Sequence, residues 1–289
     1  MSHPSVVIAG HVCIDHNKSE NATYTGWGSS VLYMAQVFTG LYGAPTTALA
    51  NYGPDMVPHL PKVTLVPSTP TKDRTLVFEN DSSSGKRVQH CYNTDVATPL
   101  AITQAVQEKL AAADVVVVAV LLANYGAAHI RELLAHCKPN ALKVLCPQGY
   151  FRRIDKQGLV HSRPFEEAGD IVGKFDLVVF SEEDYADAFA AAQAWKQAAP
   201  NTHIVVTQSS KGASIIHADR IEAVPTTPIP PEDIVDSVGC GDTFAAALVN
   251  AYYDSHDLRA AITAAHSVAA QKLKAVYAGA ATKTPASSY

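Results

Sequence analysis

The chain carries Asp236-Ser237-Val238-Gly239-Cys240-Gly241-Asp242-Thr243-Phe244, followed without a break by Ala245-Ala246-Ala247-Leu248-Val249. Small residues in a Gly-x-Gly turn lead straight into an apolar helix. The first turn of a helix leaves backbone N–H groups without intrahelical acceptors. Those donors, with the positive end of the helix dipole, make a site for a phosphate or another oxyanion. Asp242 then stands beside an anion site, where a carboxylate is out of place unless it handles a proton. The combination points to phosphoryl transfer. The bland alternative is an ordinary capped helix whose acid stabilises the dipole.

Outward from this stretch, short apolar runs rich in β-branched residues predict buried strands at Val6–Ala9, Val115–Val120, Val144–Cys146, Leu177–Phe180 and Ile204–Thr207. Helical spacing appears at Ser30–Leu41, Ile102–Ala111, Ala127–Cys137, Glu182–Ala198, Thr243–Tyr253 and Leu258–Lys274. Strands that are apolar throughout and alternate with helices predict an α/β fold with a mostly parallel sheet covered on both faces. Ligands of such sheets bind beyond the carboxyl ends of the strands. The region Val63–Thr98 breaks the rhythm. Its runs Val63–Val66, Arg74–Glu79 and Arg87–Tyr92, with the polar turn Asp81–Gly85, predict a hairpin excursion. Together with the polar stretch Asp15–Gly26 it forms a small β unit on a single domain spanning 1–289. That unit is either a lid, at about 15–26 and 63–98, or an ordinary surface hairpin. The tail Ala281–Tyr289 is expected to fray.

Composition narrows the partners. The net charge is −5 and the longest basic cluster is Lys86-Arg87, which argues against nucleic acid or a membrane surface. The N-terminus lacks the layout of a signal peptide. The longest apolar run, Val115 to Ala123, is about half of a membrane span. The five cysteines, Cys13, Cys91, Cys137, Cys146 and Cys240, form no C-x-x-C pair and fit reduced thiols in the cytoplasm. There is no P-loop. Gly26-Trp27-Gly28 lacks the third glycine of a dinucleotide fingerprint, and no histidine shows metal-ligand spacing.

The opening stretch resembles the second signature of the ribokinase-like (PfkB) family of sugar and nucleoside kinases, D-T-x-G-A-G-D. It matches at Asp236, Gly239, Gly241 and Asp242, with Ser237 for the threonine and Cys240 for the alanine. Other segments extend the resemblance over essentially the whole chain. Gly10-His11-Val12-Cys13-Ile14-Asp15 has the spacing of a motif whose aspartate holds substrate hydroxyls. Gly28-Ser29-Ser30 fills the place of a Gly-Gly turn, with Trp27 replacing the first glycine. That indole either stacks on substrate or packs. Asn51-Tyr52-Gly53-Pro54-Asp55 looks like the family's V-G-x-D segment. Ser181-Glu182-Glu183-Asp184 lies where N-x-x-E organises magnesium, and only Asp184 keeps the carboxylate. Val206-Thr207-Gln208-Ser209-Ser210-Lys211-Gly212 resembles the nucleotide-facing V-T-x-G-x-x-G, with Ser209 for a glycine. His266 takes the place of an asparagine that flanks the base.

A finer resemblance is to the inositol-kinase branch. It rests on Lys72–Thr75, Phe78-Glu79-Asn80, Gly85-Lys86-Arg87 and Pro147-Gln148-Gly149-Tyr150-Phe151-Arg152. Cys146 stands where that branch often has an aspartate. Arg152 or Arg153 either reaches a phosphate or a substrate acid, or is a solvated loop cation.

The resemblance implies a ribokinase-like three-layer fold and an ATP-dependent kinase acting on a sugar or an inositol-like polyol. Asp242 is the implied general base, and Gly239, Cys240 and Gly241 the implied anion hole. Asp15, Trp27, Gly28, Asn51, Gln148 and Arg152 are expected around the acceptor. Thr207, Ser209, Gly212 and His266 are expected around the nucleotide. Asp184 is expected to reach Mg²⁺ through water, and Asp236 to face a monovalent cation such as K⁺. The lid offers a surface for a homodimer. The alternatives are a nucleoside kinase of the same fold and a catalytically weak ligand-binding or regulatory protein on the kinase scaffold.

Overall fold

A computed structural model describes residues 3–19, 22–84, 88–275 and 284–285. The chain opens with β1 (Val6–Gly10), β2 (Cys13–Lys18), β3 (Ala22–Gly28), α1 (Ser30–Gln36), β4 (Thr46–Leu49), β5 (Thr64–Val66), β6 (Leu76–Asp81) and β7 (Val88–Tyr92). The middle holds α2 (Gln104–Ala112), β8 (Val115–Ala119), α3 (Ala127–Ala135), β9 (Leu142–Cys146), β10 (Arg152–Ile154), β11 (Val160–Ser162) and α4 (Ala168–Ile171). The last third holds β12 (Leu177–Ser181), α5 (Ala188–Ala198), β13 (His203–Thr207), β14 (Ala213–Ile216), β15 (Ile221–Val224), α6 (Cys240–Ser255), α7 (Leu258–Leu273) and β16 (Thr284–Pro285).

Nine strands form the large sheet in the order β15-β14-β13-β12-β9-β8-β1-β4-β5. All neighbours from β13 to β5 are parallel, and β14 and β15 close one edge as an antiparallel hairpin. Strand alternation explains the runs of valine. Val115 and Val117 join the core under α1, α6 and α7, whereas Val116 and Val118 join the core on the other face with α2, α3 and α5. Burial on both faces demands an apolar residue at every position. This is the α/β ribokinase-like architecture that the sequence predicts.

A second, five-stranded sheet has the order β16-β3-β2-β6-β7. It takes in the polar Asp15–Gly26 stretch and the hairpin. The run Val63–Val66 behaves differently from its expectation. It pairs with β4 at the edge of the large sheet, Ala48 opposite Leu65. It is apolar at Leu65 and sits next to a strand that needs a parallel neighbour. The turn Gly85–Arg87 and most of the Ala281–Tyr289 tail lie outside the described residues. Among the described residues no helix is long and apolar enough to cross a membrane.

Helix α5 starts at Ala188, six residues later than the spacing suggests. The Asp184 carboxylate accepts from Ser181 N at 2.9 Å, which holds that segment in a turn. The carboxyl ends of β1, β8, β9, β12 and β13 all open toward the same edge of the sheet as the start of α6. The chain leaves β1 toward β4 on one side and returns to β8 on the other, the switch-point arrangement at which open α/β sheets bind ligands.

Candidate active site

Helix α6 begins at Cys240, three residues before the predicted start, so Asp242 lies inside its first turn. Gly239 is the N-cap, with φ at 73° in the left-handed region. A side chain there is disfavoured by backbone sterics and would run into the ring of Tyr33, 2.5 Å from Cδ1. No side chain caps this terminus. Gly241 has open space on its Cβ side, so an approaching group meets backbone. The charge of the half-buried Asp242 is felt at the Cys146 thiol, at the end of β9. That thiol is pushed up first by burial, then by the charges of Asp242 and Asp184. The three side chains are therefore near enough for the two carboxylates to act on the thiol.

Gln148 and Asp184 are joined directly. Gln148 Nε2 donates to Asp184 Oδ1 at 3.0 Å, while Oδ2 holds Ser181 N. Among the described residues no three His, Cys, Asp or Glu side chains converge as metal ligands. Magnesium held mainly by donor phosphates and water fits this arrangement, because each Asp184 oxygen keeps a lone pair for a water.

The other half of the site is built on the small sheet. Strand alternation puts Cys13, Asp15 and Asn17 of β2 on one face. The register places Leu76, Phe78 and Asn80 beside them, with Cys91 beyond Phe78 and Gln89 beyond Asn80. Asp15 is 8% exposed and accepts from Cys13 Sγ at 3.3 Å. A methyl group at Gly28 would overlap the Asp15 carboxylate, so this glycine is required for the acid to lie where it does. The Arg152 guanidinium stacks over Phe78, 5.1 Å from its ring centre, and donates to Leu121 O at 3.4 Å. Its charge pulls on Cys13 and Cys91, whose thiols burial pushes up, that of Cys91 to about 12. Arg152 thus belongs to the Asp15 face. Arg153, in contrast, is exposed on the β10–β11 hairpin.

Two further expected acceptor residues, Trp27 and Asn51, are held by other parts of the chain. Trp27 pairs with Ile14, on the opposite face from Asp15. It is buried in the main core against Tyr33, ring centres 5.1 Å apart, so of its two readings packing describes its position. Asn51 ties loops together. Its Nδ2 donates to Thr98 O at 3.1 Å and its Oδ1 accepts from Thr71 Oγ1 at 2.9 Å. Tyr33, which packs on both Trp27 and Gly239, is where the small sheet meets the anion turn.

The loop after β13 is tightly closed. Gln208 N donates to Gly212 O at 2.7 Å, and Gly212, φ 102°, has no room for a Cβ against Val224 O. Ser209 adopts φ 50°, left-handed without being glycine. Thr207 Oγ1 donates to Phe180 O at 3.4 Å. His266 lies on α7 beside Phe244, ring centres 5.3 Å apart. Both its nitrogens are buried without a hydrogen-bond partner among the described residues, and burial lowers its pKa. Asp236 Oδ1 accepts from Val238 N at 2.9 Å, while Oδ2 is buried without such a partner.

A family model described as "pfkB family carbohydrate kinase" matches residues 70–285. The chain belongs to this family. It is a PfkB-type carbohydrate kinase, a phosphotransferase with an alcohol acceptor. Solved structures share the fold. One is a pyrophosphate-dependent kinase in the ribokinase family, complexed with a pyrophosphate analog and myo-inositol. It is 18% identical with a TM-score of 0.74, over 93% of this chain and 95% of that one. The ribokinase of Thermotoga maritima is 14% identical with a TM-score of 0.67, over 96% and 95%. The adenosine kinase of Trypanosoma brucei brucei is 14% identical with a TM-score of 0.71, over 95% and 100%.

The face of Asp15 holds further polar residues, of which motif reading had named only Asn80, without a role. On the face of Asp15, Gln89 Nε2 donates to Asn80 Oδ1 at 2.7 Å and Asn80 Nδ2 donates to Asn17 Oδ1 at 3.1 Å. Asn17 and Asn80 are buried. The available signal was polar residues two apart from Asp15 along β2, and it becomes informative only once the register is known.

Proposed function

We propose that this kinase transfers a terminal phosphoryl group to a hydroxyl of a cyclic polyol or sugar of the inositol type. The observation that carries the acceptor class is the buried polar face around Asp15. A carboxylate can accept two hydrogen bonds from a vicinal diol, and the adjoining amides of Asn17, Asn80 and Gln89 offer both donors and acceptors to further hydroxyls. Arg152 adds a fixed cation on the same face.

Asp242 takes the proton of the attacking hydroxyl as its oxygen bonds to phosphorus and the bond to the donor's leaving oxygen breaks. A free aspartate is a weak base, with a reference pKa of about 3.9. That suffices where the transition state is loose and positioning does most of the work. The N–H groups of Gly239 and Gly241 receive the equatorial oxygens, whereas Cys240 N, expected beside them, already donates to Ser237 O at 3.1 Å and closes the turn. Each such donor is worth roughly 3 kcal/mol in comparable anion holes. Asp184, steadied by Gln148, would hold magnesium through water, and the metal would supply charge neutralisation to the donor phosphates. Closure of the small sheet over the acceptor would exclude water and suppress hydrolysis of the donor.

For the donor, ATP agrees with the Thr207–Gly212 loop and His266. Pyrophosphate is the second reading, and specific contacts favour it. Gln208 Nε2 donates to Glu182 at 3.1 Å and Lys211 lies 3.9 Å from the same carboxylate, so the loop's polar groups are spent on one another. Ser209 stands where the motif has glycine. The likeness to pyrophosphate-dependent kinases points the same way. A screen of ATP and pyrophosphate against myo-inositol, hexoses, pentoses and nucleosides, with products identified by ³¹P NMR, tests both halves. A phosphomonoester of a polyol or sugar is expected. Turnover on nucleosides alone would overturn the acceptor assignment. Ligand binding with no phosphoryl transfer from either donor would mark a binding protein on the kinase scaffold.

A further inference from the structure

The motif Asn51-Tyr52-Gly53-Pro54-Asp55 takes no part in the proposed phosphoryl transfer. Its partners lie in the chain that leads into β6. Thr71 N and Lys72 N donate to Tyr52 O at 3.0 and 3.1 Å. Gly53 N donates to Thr75 Oγ1 at 2.9 Å, and a methyl group at Gly53 would overlap the Arg74 backbone, so the two segments touch main chain to main chain. Asp55, though exposed, spends both oxygens on one residue. Its Oδ2 accepts from Thr75 N at 3.0 Å and its Oδ1 from Thr75 Oγ1 at 2.6 Å. Thr75 O accepts from Asn93 Nδ2 at 2.8 Å, just past the end of β7. Thr75 is 1% exposed, and these bonds leave none of its polar atoms unsatisfied.

Thr75 stands immediately before β6, and residues 51–55 follow β4 of the large sheet. The clamp therefore fixes the root of β6 to the large sheet. From that root Leu76, Phe78 and Asn80 extend beside Cys13, Asp15 and Asn17, and Arg152 stacks on Phe78. A displaced root would carry this row away from Asp15. The donor loop follows β13, far across the sheet order from β4, out of reach of such a shift. An acid that only steadies a loop is the bland reading, and it predicts a cost in stability alone. We infer that Asp55 is a positioning residue for the acceptor, acting through Thr75 to hold the β6 row against Asp15. The inference rests on the assignment of the Asp15 face to the acceptor.

The experiment compares wild type, Asp55→Ala, Thr75→Val and Thr75→Ser. Acceptor KM, donor KM and melting temperature are measured with myo-inositol, a hexose and a pentose as acceptors and with ATP and pyrophosphate as donors. Asp55→Ala and Thr75→Val are expected to raise the acceptor KM roughly tenfold or more, the scale of a small misplacement of binding groups, with the donor KM unchanged. Thr75→Ser keeps the hydroxyl and is expected to match wild type in acceptor KM. Joining Asp55→Ala to Thr75→Val is expected to cost little beyond either change alone, because both break the same bond. Asp55→Asn keeps the size and one acceptor oxygen, and carries the same comparison if Asp55→Ala does not fold. A folded Asp55→Ala enzyme that loses melting temperature but keeps its acceptor KM would overturn the inference. So would a Thr75→Ser enzyme as impaired as Thr75→Val, or equal rises in the two KM values. If wild type transfers phosphate from neither donor, the kinase assignment fails instead. Calorimetric titration of the same acceptors without a donor then decides the role of Asp55, weaker binding by Asp55→Ala supporting it and equal binding contradicting it.

Discussion

Gly28 pairs with Cys13 and lies diagonally across from Asp15, and the space between glycine and carboxylate admits no methyl group. Gly28→Ala must displace the carboxylate or the strand. The expected result is a rise of roughly tenfold or more in acceptor KM, with a stability loss of about 1–3 kcal/mol, the usual cost of overpacking. Steady-state kinetics and urea unfolding check the two effects separately. An unchanged acceptor KM would detach Asp15 from acceptor binding. The pair was legible in the sequence, because G-x-x-x-x-D and the glycine at 28 sit at recognisable places. Trp27 was not legible. Whether it stacks on substrate or packs in the core depends on which face of β3 it occupies, and one residue of register reverses that. Pairing with Ile14 rather than Asp15 places it on the core side.

At the scale of elements, the small sheet couples recognition to its own integrity. Asn80 links Gln89 to Asn17 in the middle of its row. Asn80→Leu keeps the size but leaves two amide partners without their bonds, at about 1–3 kcal/mol for a buried polar group. The melting temperature is expected to fall, and the acceptor preference to shift toward substrates with fewer hydroxyls. An acceptor profile identical to wild type would limit the row to a structural role. Sequence pattern found the hairpin but assigned Val63–Val66 to it. A three-residue strand carries too little pattern to say which sheet it joins, and only parallel pairing with β4 decides. The β14–β15 edge passed unnoticed for a related reason. Ala213-Ser214-Ile215-Ile216 and Ile221–Val224 are short, and their pairing is set by the neighbouring β13. Long, uniformly apolar strands such as β8 were legible because burial on both faces leaves little choice of residue.

For the molecule as a whole, His11 links stability to pH. It sits where β1 and β8 diverge, 4% exposed, and its Nδ1 accepts from Leu121 N at 3.1 Å. That bond fixes the neutral tautomer with hydrogen on Nε2. Burial lowers its pKa to about 4, against partial support from Asn124 and Ala97. Above its unfolded value of about 6.5 the ring is neutral in both states and contributes no pH dependence. As pH falls from about 6.5 to about 4 only the unfolded chain takes the proton, so roughly 3 kcal/mol is lost, and the loss levels off below that window. His11→Gln, which keeps an acceptor for Leu121 N, is expected to show a smaller loss than wild type by about that amount. Urea titrations at neutral pH and at about pH 4 measure the difference. Equal losses in the two proteins would contradict the neutral, buried state of the ring.

The two halves of the proposed site are far apart in sequence, and Tyr33 packs both on Trp27, from the core side of the small sheet, and on the turn that starts α6. Asp242→Asn tests this account most directly, because it keeps size and helix while removing the base. The expected result is a fall in kcat of about 10²–10⁴, with melting temperature and donor affinity close to wild type. A variant retaining more than about a tenth of wild-type kcat would contradict it, since that is less than a base of this kind contributes.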